Sequence, residues 1–199
     1  SEPAHGSDLN GDGDALDEVV VLLDYAANTL PVLFWPQLMP GTRFIGTTRY
    51  GAYVADEAIQ GPFNPGLPLN PDVDITDKLV VVVDLAGGAV VSIGASNVDP
   101  TAALGVSPTS PFPLAAYTVD EALPNAGTPL NGDLDITDFV PALNKGAPAE
   151  AFPTFPSPPL NAGPAARFTF AHGSLVVQLG AEEGLNDFNA DTDTTDAEV

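Results

Sequence analysis

Nineteen aspartates stand in this chain of 199 residues, and 14 of them fall in four short segments spaced almost evenly along it. The first segment carries Asp8, Asn10, Asp12, Asp14 and Asp17; the second carries Asn70, Asp72, Asp74 and Asp77. The third carries Asn131, Asp133, Asp135 and Asp138, and the fourth Asp187, Asn189, Asp191, Asp193 and Asp196. Measured between the asparagines, the intervals are 60, 61 and 58 residues. Such a fixed period marks an internal repeat. The chemistry suited to these residues is that of a hard cation. Ca2+ takes roughly six to eight oxygen ligands at about 2.3–2.6 Å, from carboxylates, amides, backbone carbonyls and water. A loop curling round an ion turns every second side chain inward, which gives the Asn-x-Asp-x-Asp rhythm, and the Asp three residues later closes the shell as the chain leaves. Gly11, Gly13 and Gly132 allow backbone conformations that a Cβ would penalise.

Each loop opens onto an apolar run or the end of the sequence: Val19 to Leu23, Leu79 to Val83, Phe139 and Val140, and Val199. The second and third loops have Pro68 and Pro129 where the others have Asp8 and Asp187. They must borrow a ligand, and Glu57 and Glu121, each in a Tyr-x-x-Asp-Glu-Ala segment, are the candidates; Glu183 holds the corresponding place before the fourth loop. These loops resemble the Asp-rich calcium loops of dockerins and thrombospondin calcium repeats. They are still more similar to a repeat of secreted bacterial proteins, in which a Glu-Ala strand end leads into Asp-x-Asn-Gly-Asp-Gly-Asp-x-x-Asp and a Val-rich strand. The resemblance covers about ten residues per loop together with residues 53–58 and 117–122. It implies Ca2+ as the cofactor. The EF-hand pattern is not met, because the twelfth position from Asp8 is Val19 instead of Glu, and a strand-like run follows instead of a helix.

Asp, Asn and Gly also make ordinary turns, and one such loop would say no more than that. Four in register, each before an apolar run or at the sequence end, favour ligation. Paired carboxylates such as Asp56–Glu57 and Asp120–Glu121 could in principle serve glycoside hydrolysis. However, neighbours on a strand point to opposite faces, and recurrence at one place in the repeat suits a structural role. His5 lies in the N-terminal lead and His172 at an expected hairpin turn, so both read as solvated. No nucleophile elbow, phosphate-cradling glycine loop or zinc spacing appears. The chain reads as a non-enzyme. Phe34–Trp35 and the Phe152/Phe155 pair read first as core, with glycan contact the alternative.

The formal charge is -22, from 27 acidic and five basic residues. Because most Asp residues are gathered in loops, this is not the even acidic coat of a halophile. One divalent ion per loop would bring the charge to about -14, and empty loops would repel themselves, coupling folding to binding. Five dispersed bases offer nothing to phosphates, which excludes nucleic acid as a partner. No apolar stretch is long enough to span a membrane, and there is no Cys. Millimolar calcium outside cells would fill such loops, so an extracellular or cell-surface location is expected.

A hydrophobic fraction of 44% with 21 prolines and 19 glycines predicts short strands without helices, an all-β fold. A β-sandwich-like single domain over residues 1–199 is expected, with a propeller-like array of blades as the alternative. The repeats divide at about 8–66, 67–127 and 128–185, with a half-repeat at 186–199. Strands are expected at 18–25, 30–35, 44–48, 50–55, 78–85 and 89–93. Further strands are expected at 114–119, 167–171 and 174–179. The strand after the third loop contains Pro141, which predicts an edge position or early termination, while residues 97–113 read as a connector. The repeat runs strand, Glu, loop, strand, and the sequence opens and closes on a loop. Other copies of the chain, joined head to tail by strand addition or shared calcium, are therefore the expected partners. Such a contact makes a fibre unless its rotation closes a ring. The function expected is a secreted calcium-binding structural protein of a filament, sheath or surface layer. A calcium-stabilised adhesion or spacer domain of a larger surface protein is the alternative.

Overall fold

Val80, Val81, Val82 and Val83 are all fully buried. A strand keeps consecutive side chains on opposite faces, so such a run is stable only where both faces are covered. That requirement organises the molecule into stacked sheets. In the computed structural model the described residues are 18–24, 29–34, 38, 44–59, 77–93, 104–107, 115–120, 139–144, 167–171 and 174–178, with single positions 6, 15, 122 and 136. They form eleven strands in antiparallel sheets, an all-β fold. A first sheet pairs β1 (Val20–Asp24) with β2 (Thr29–Phe34). A second, in the order β3-β4-β5-β6, holds Ile45–Gly46, Tyr50–Asp56, Lys78–Asp84 and Ala89–Ile93. The third, β7-β8-β9, holds Gly105–Val106, Ala115–Asp120 and Phe139–Asn144, and the fourth pairs β10 (Arg167–Ala171) with β11 (Ser174–Gln178).

The strands fall where the apolar runs put them, with two differences. β7 lies inside the stretch expected to be only a connector. β9 continues through Pro141 to Asn144 instead of stopping there. It is the outer strand of its described sheet, with Pro141 opposite Thr118, so the missing N–H is tolerated as an edge position allows. The hairpin between β5 and β6 turns on Asp84: its Oδ1 accepts the Ala86 N–H at 2.9 Å and its carbonyl accepts the Gly88 N–H at 2.8 Å. Gly88 sits at φ 66°, a conformation cheap only for glycine.

Tyr53, Ala55, Val81 and Val83 face the first sheet, packing on Val20 and Leu22. The opposite face, with Tyr50, Ala52, Val54, Val80 and Val82, packs on Val106, Ala115, Tyr117, Val119 and Ala142 of the third sheet. Gly105 pairs with Ala116, so its position belongs to the other face of that third sheet. There a Cβ would stand 2.7 Å from the Phe168 Cβ, so β10 covers that face. The sheets therefore stack in chain order. Tyr53 and Tyr117, the same position in their Tyr-x-x-Asp-Glu-Ala segments, each face the sheet before their own.

β7 lies over β3 and β4, and β8 over β5, so strand order runs the same way in both sheets. A sheet fixed in facing and order is fixed in strand direction too. The connections from Asp56 to Lys78 and from Asp120 to Phe139 thus leave from the same end of the stack. Register repeats as well. Asp56 opposes Lys78 as Asp120 opposes Phe139, the residues just after Asp77 and Asp138. In β1–β2 the pairs Val21–Leu33, Leu22–Val32 and Asp24–Thr29 stand 60 positions before Val81–Ile93, Val82–Ser92 and Asp84–Ala89 of β5–β6. An irregularity follows Leu22 in one and Val82 in the other.

Candidate metal centre

Only two of the residues expected to ligate, Glu57 and Asp77, lie among the described residues, and the fold brings them together. β4 ends at Asp56, opposite Lys78, and Glu57 opens the short 3-10 turn that follows, next to Asp77 just before β5. The Glu57 N–H donates to the Asp77 carbonyl at 2.9 Å. Both residues are buried, at 4% and 2% exposure. One backbone hydrogen bond thus brings two buried acidic residues to the point where the second loop meets its sheet. Burying like charges side by side is costly unless something offsets them. Their chemistry, two hard anionic oxygen donors of converging origin, fits a calcium ion and suits softer metals poorly.

Asp56, next to Glu57, has another task. Its Oδ1 accepts the Ala58 N–H at 3.0 Å, and in the third sheet the Asp120 Oδ1 accepts the Ala122 N–H at 2.9 Å. Each caps the turn that leaves the strand, a use of Asp that its short side chain favours. The Asp–Glu pairs are thus split in role: the Asp holds the turn, and Glu57 turns into the protein. The signal that could have separated them is the Asp-x-Ala spacing, which suits a side chain closing on the backbone two residues later.

The remaining expected ligands lie outside the described residues: Asp8, Asn10, Asp12, Asp14 and Asp17 of the first loop; Asn70, Asp72 and Asp74 of the second; Glu121, Asn131, Asp133, Asp135 and Asp138 of the third; Glu183, Asp187, Asn189, Asp191, Asp193 and Asp196 of the fourth. His5, His172, Trp35 and the Phe152/Phe155 pair lie outside them too. Among the described residues no group of three or more His, Cys, Asp or Glu is gathered for a metal. Compared with family models, with curated proteins and with solved structures, the chain matches none. Its reading rests on its own residues.

No helix among the described residues is long and apolar enough to cross a membrane. Close to the same core, burial pushes the Tyr53 phenol well above its ordinary range. The Phe44 ring lies over Gly51 and Gly46, 6.3 Å from the Tyr53 ring, filling the gap the glycines leave.

Proposed function

We propose that this is a secreted, calcium-stabilised structural protein, a stack of β-sheets whose loop ends are held by Ca2+ and which serves as a subunit of an extracellular filament, sheath or surface layer. The observation that carries the reading is the meeting of Glu57 and Asp77. Spacing alone named both as ligands, and the fold buries both and joins them by a backbone hydrogen bond, in a chain with 27 acidic and only five basic residues. So few bases cannot neutralise so many acids, and a divalent ion from the surroundings is the economical counter-charge. Extracellular millimolar calcium supplies it, and loops of this kind bind weakly enough to need that concentration.

The equivalent frame of β8–β9 supports a second ion at the third loop, with Glu121 and Asp138 as the corresponding residues. The stacking supports a structural role, because a row of sheets facing one way has no built-in stop. One observation favours the second reading, a spacer or adhesion domain: Arg167, Thr169 and Ala171 on the outer face of β10 are all exposed, and a polar outer face caps a stack.

Calorimetric titration with calcium, with thermal melting in parallel, tests the metal. Uptake of more than one ion and a fall in melting temperature on chelation are expected, and Asp74→Ala or Asp135→Ala should weaken both. If neither substitution alters uptake, the ligand assignment is wrong. Size exclusion and electron microscopy with calcium and then chelator separate the readings: polymers that vanish with chelator mean a filament, and a monomer in both means a spacer.

A further inference from the structure

The second and third sheets can be compared position by position, because the same pairs recur in both. Val54 opposes Val80, and Ala52 opposes Val82 and Ile45. Thr118 opposes Pro141, and Ala116 opposes Leu143 and Gly105. These two sets hold the same places on the face that each sheet turns to the next. On the second sheet the five positions are all hydrocarbon, and they pack as one buried cluster on the third sheet. On the third sheet Gly105 stands in the place of Ile45, Thr118 in that of Val54 and Pro141 in that of Val80. Thr118 is 1% exposed, and its hydroxyl has no hydrogen-bond partner among the described residues. A buried hydroxyl without a partner carries the full cost of leaving water.

The cover over this face is correspondingly slight. At Gly105 the Phe168 Cβ comes within 2.7 Å of where a Cβ would stand, so β10 settles into a notch that only glycine leaves. Phe168 is buried, and Phe170, on the same face of β10, is half-buried. Among the described residues, one buried hydrophobic cluster joins the first sheet to the second and another joins the second to the third. None joins the third to the fourth. β10 pairs with β11 along all five residues, and among the described residues it pairs with no other strand.

We propose that β10–β11 is a displaceable leaf: the stack opens first between the third and fourth sheets, while the first three sheets stay together. Lifting the leaf breaks no strand pairing among the described residues and lets water reach the Thr118 hydroxyl. It also uncovers less hydrocarbon than parting the second sheet from the third. Local opening takes the least costly contact in a fold, and this is that contact. The notch at Gly105 gives the leaf one seat, so it closes again in one register. The opening needs no metal, because it follows from the side chains that meet between the sheets.

The chain has no cysteine, so a single introduced thiol reports opening without background. Val54 and Thr118 hold equivalent places and are each 1% exposed, which makes full-length Val54→Cys and Thr118→Cys a matched pair. Thiol labelling of both is followed in buffer and in low denaturant. Thr118→Cys should label at least tenfold faster than Val54→Cys, with a rate that rises little with denaturant, since little surface is exposed on lifting. Val54→Cys should label only as the whole chain unfolds, with a steep dependence. Equal rates with equal slopes would mean that the sheets part together, and would overturn the leaf. Hydrogen exchange of the unsubstituted protein covers the case in which either variant fails to fold. A lifted hairpin is marginal alone in water, so the amides of 167–171 should exchange at least tenfold faster than those of 79–83, with a smaller denaturant slope. A common rate and slope for the two segments would overturn the proposal. So would fast exchange in 167–171 while the two thiols label alike, because the hairpin would then fray without lifting.

Discussion

Replacing Glu57 by Gln keeps the shape of a buried side chain and removes one charge, and the sign of its effect reports whether a cation is present. Glu57 is bonded through its backbone to Asp77 and both are buried. Two carboxylates on neighbouring residues, taken as ~6 Å apart at an effective dielectric of ~20, would repel by about 3 kcal/mol. In chelator no added cation offsets that repulsion, so Glu57→Gln should stabilise by up to about that amount. For a domain of this size 1 kcal/mol moves the melting temperature by roughly 2–4 °C, which sets the rise in chelator at roughly 6–12 °C as an upper bound. In saturating calcium the balance reverses. Loss of a charged ligand weakens binding, and each tenfold loss of affinity removes about 1.4 kcal/mol of the stabilisation the ion supplies. The assay is thermal melting of wild type and variant, each with millimolar calcium and with chelator. Stabilisation in chelator and destabilisation in calcium is the expected crossing. A rise of the same size in both conditions would mean that nothing cationic sits against Glu57, and the metal argument would fail at its best-placed residue.

Gly105→Ala would set a methyl 2.7 Å from the Phe168 Cβ and near its carbonyl, atoms too close to the backbone to swing away. A loss of about 1–3 kcal/mol by denaturant unfolding is expected, and no loss would mean that β10 does not lie on the third sheet. Thr118→Val should be neutral or stabilising by about 1 kcal/mol, because the buried Thr118 hydroxyl has no hydrogen-bond partner among the described residues; a clear destabilisation would reveal a partner. Tyr53 is held protonated by burial, and a folded pKa above the unfolded one gives stability that is complete below about pH 10 and declines above it. Melting of wild type above that pH should therefore fall more steeply than that of Tyr53→Phe, and equal slopes would refute the assignment.

The strand positions were legible because two-sided burial writes a continuous apolar run. Lys78 to Asp84 is the plainest case: no surface strand would carry four successive valines. Pro141 did not end β9 early, since β9 is the outer strand of its described sheet and a missing N–H is tolerated there. β7 was illegible for a simple reason. A strand of two residues among prolines has no period to detect, and Gly105 is chosen by the Phe168 on top of it, a contact between residues 63 positions apart. Glu57 as a residue of the second loop was readable from the repeat. That it meets Asp77 needed the register. The division of labour between Asp56 and Glu57 was hidden because identical chemistry serves a turn and a ligand equally well.

The direction of stacking adds a constraint that neither the loops nor the strands carry alone. Because Tyr53 and Tyr117 both face the preceding sheet and strand order is preserved, the acidic connections of the second and third sheets leave from one end. Packed sheets lie about 10 Å apart, close to the Debye length of roughly 8 Å at physiological salt. Exposed charges on neighbouring sheets at that spacing are largely screened, though not wholly. The strand ends from which those connections leave would gain from a counter-charge met locally, loop by loop. A repeat that placed its acids at one end of every sheet without a counter-ion would strain most where it gains most from regular stacking.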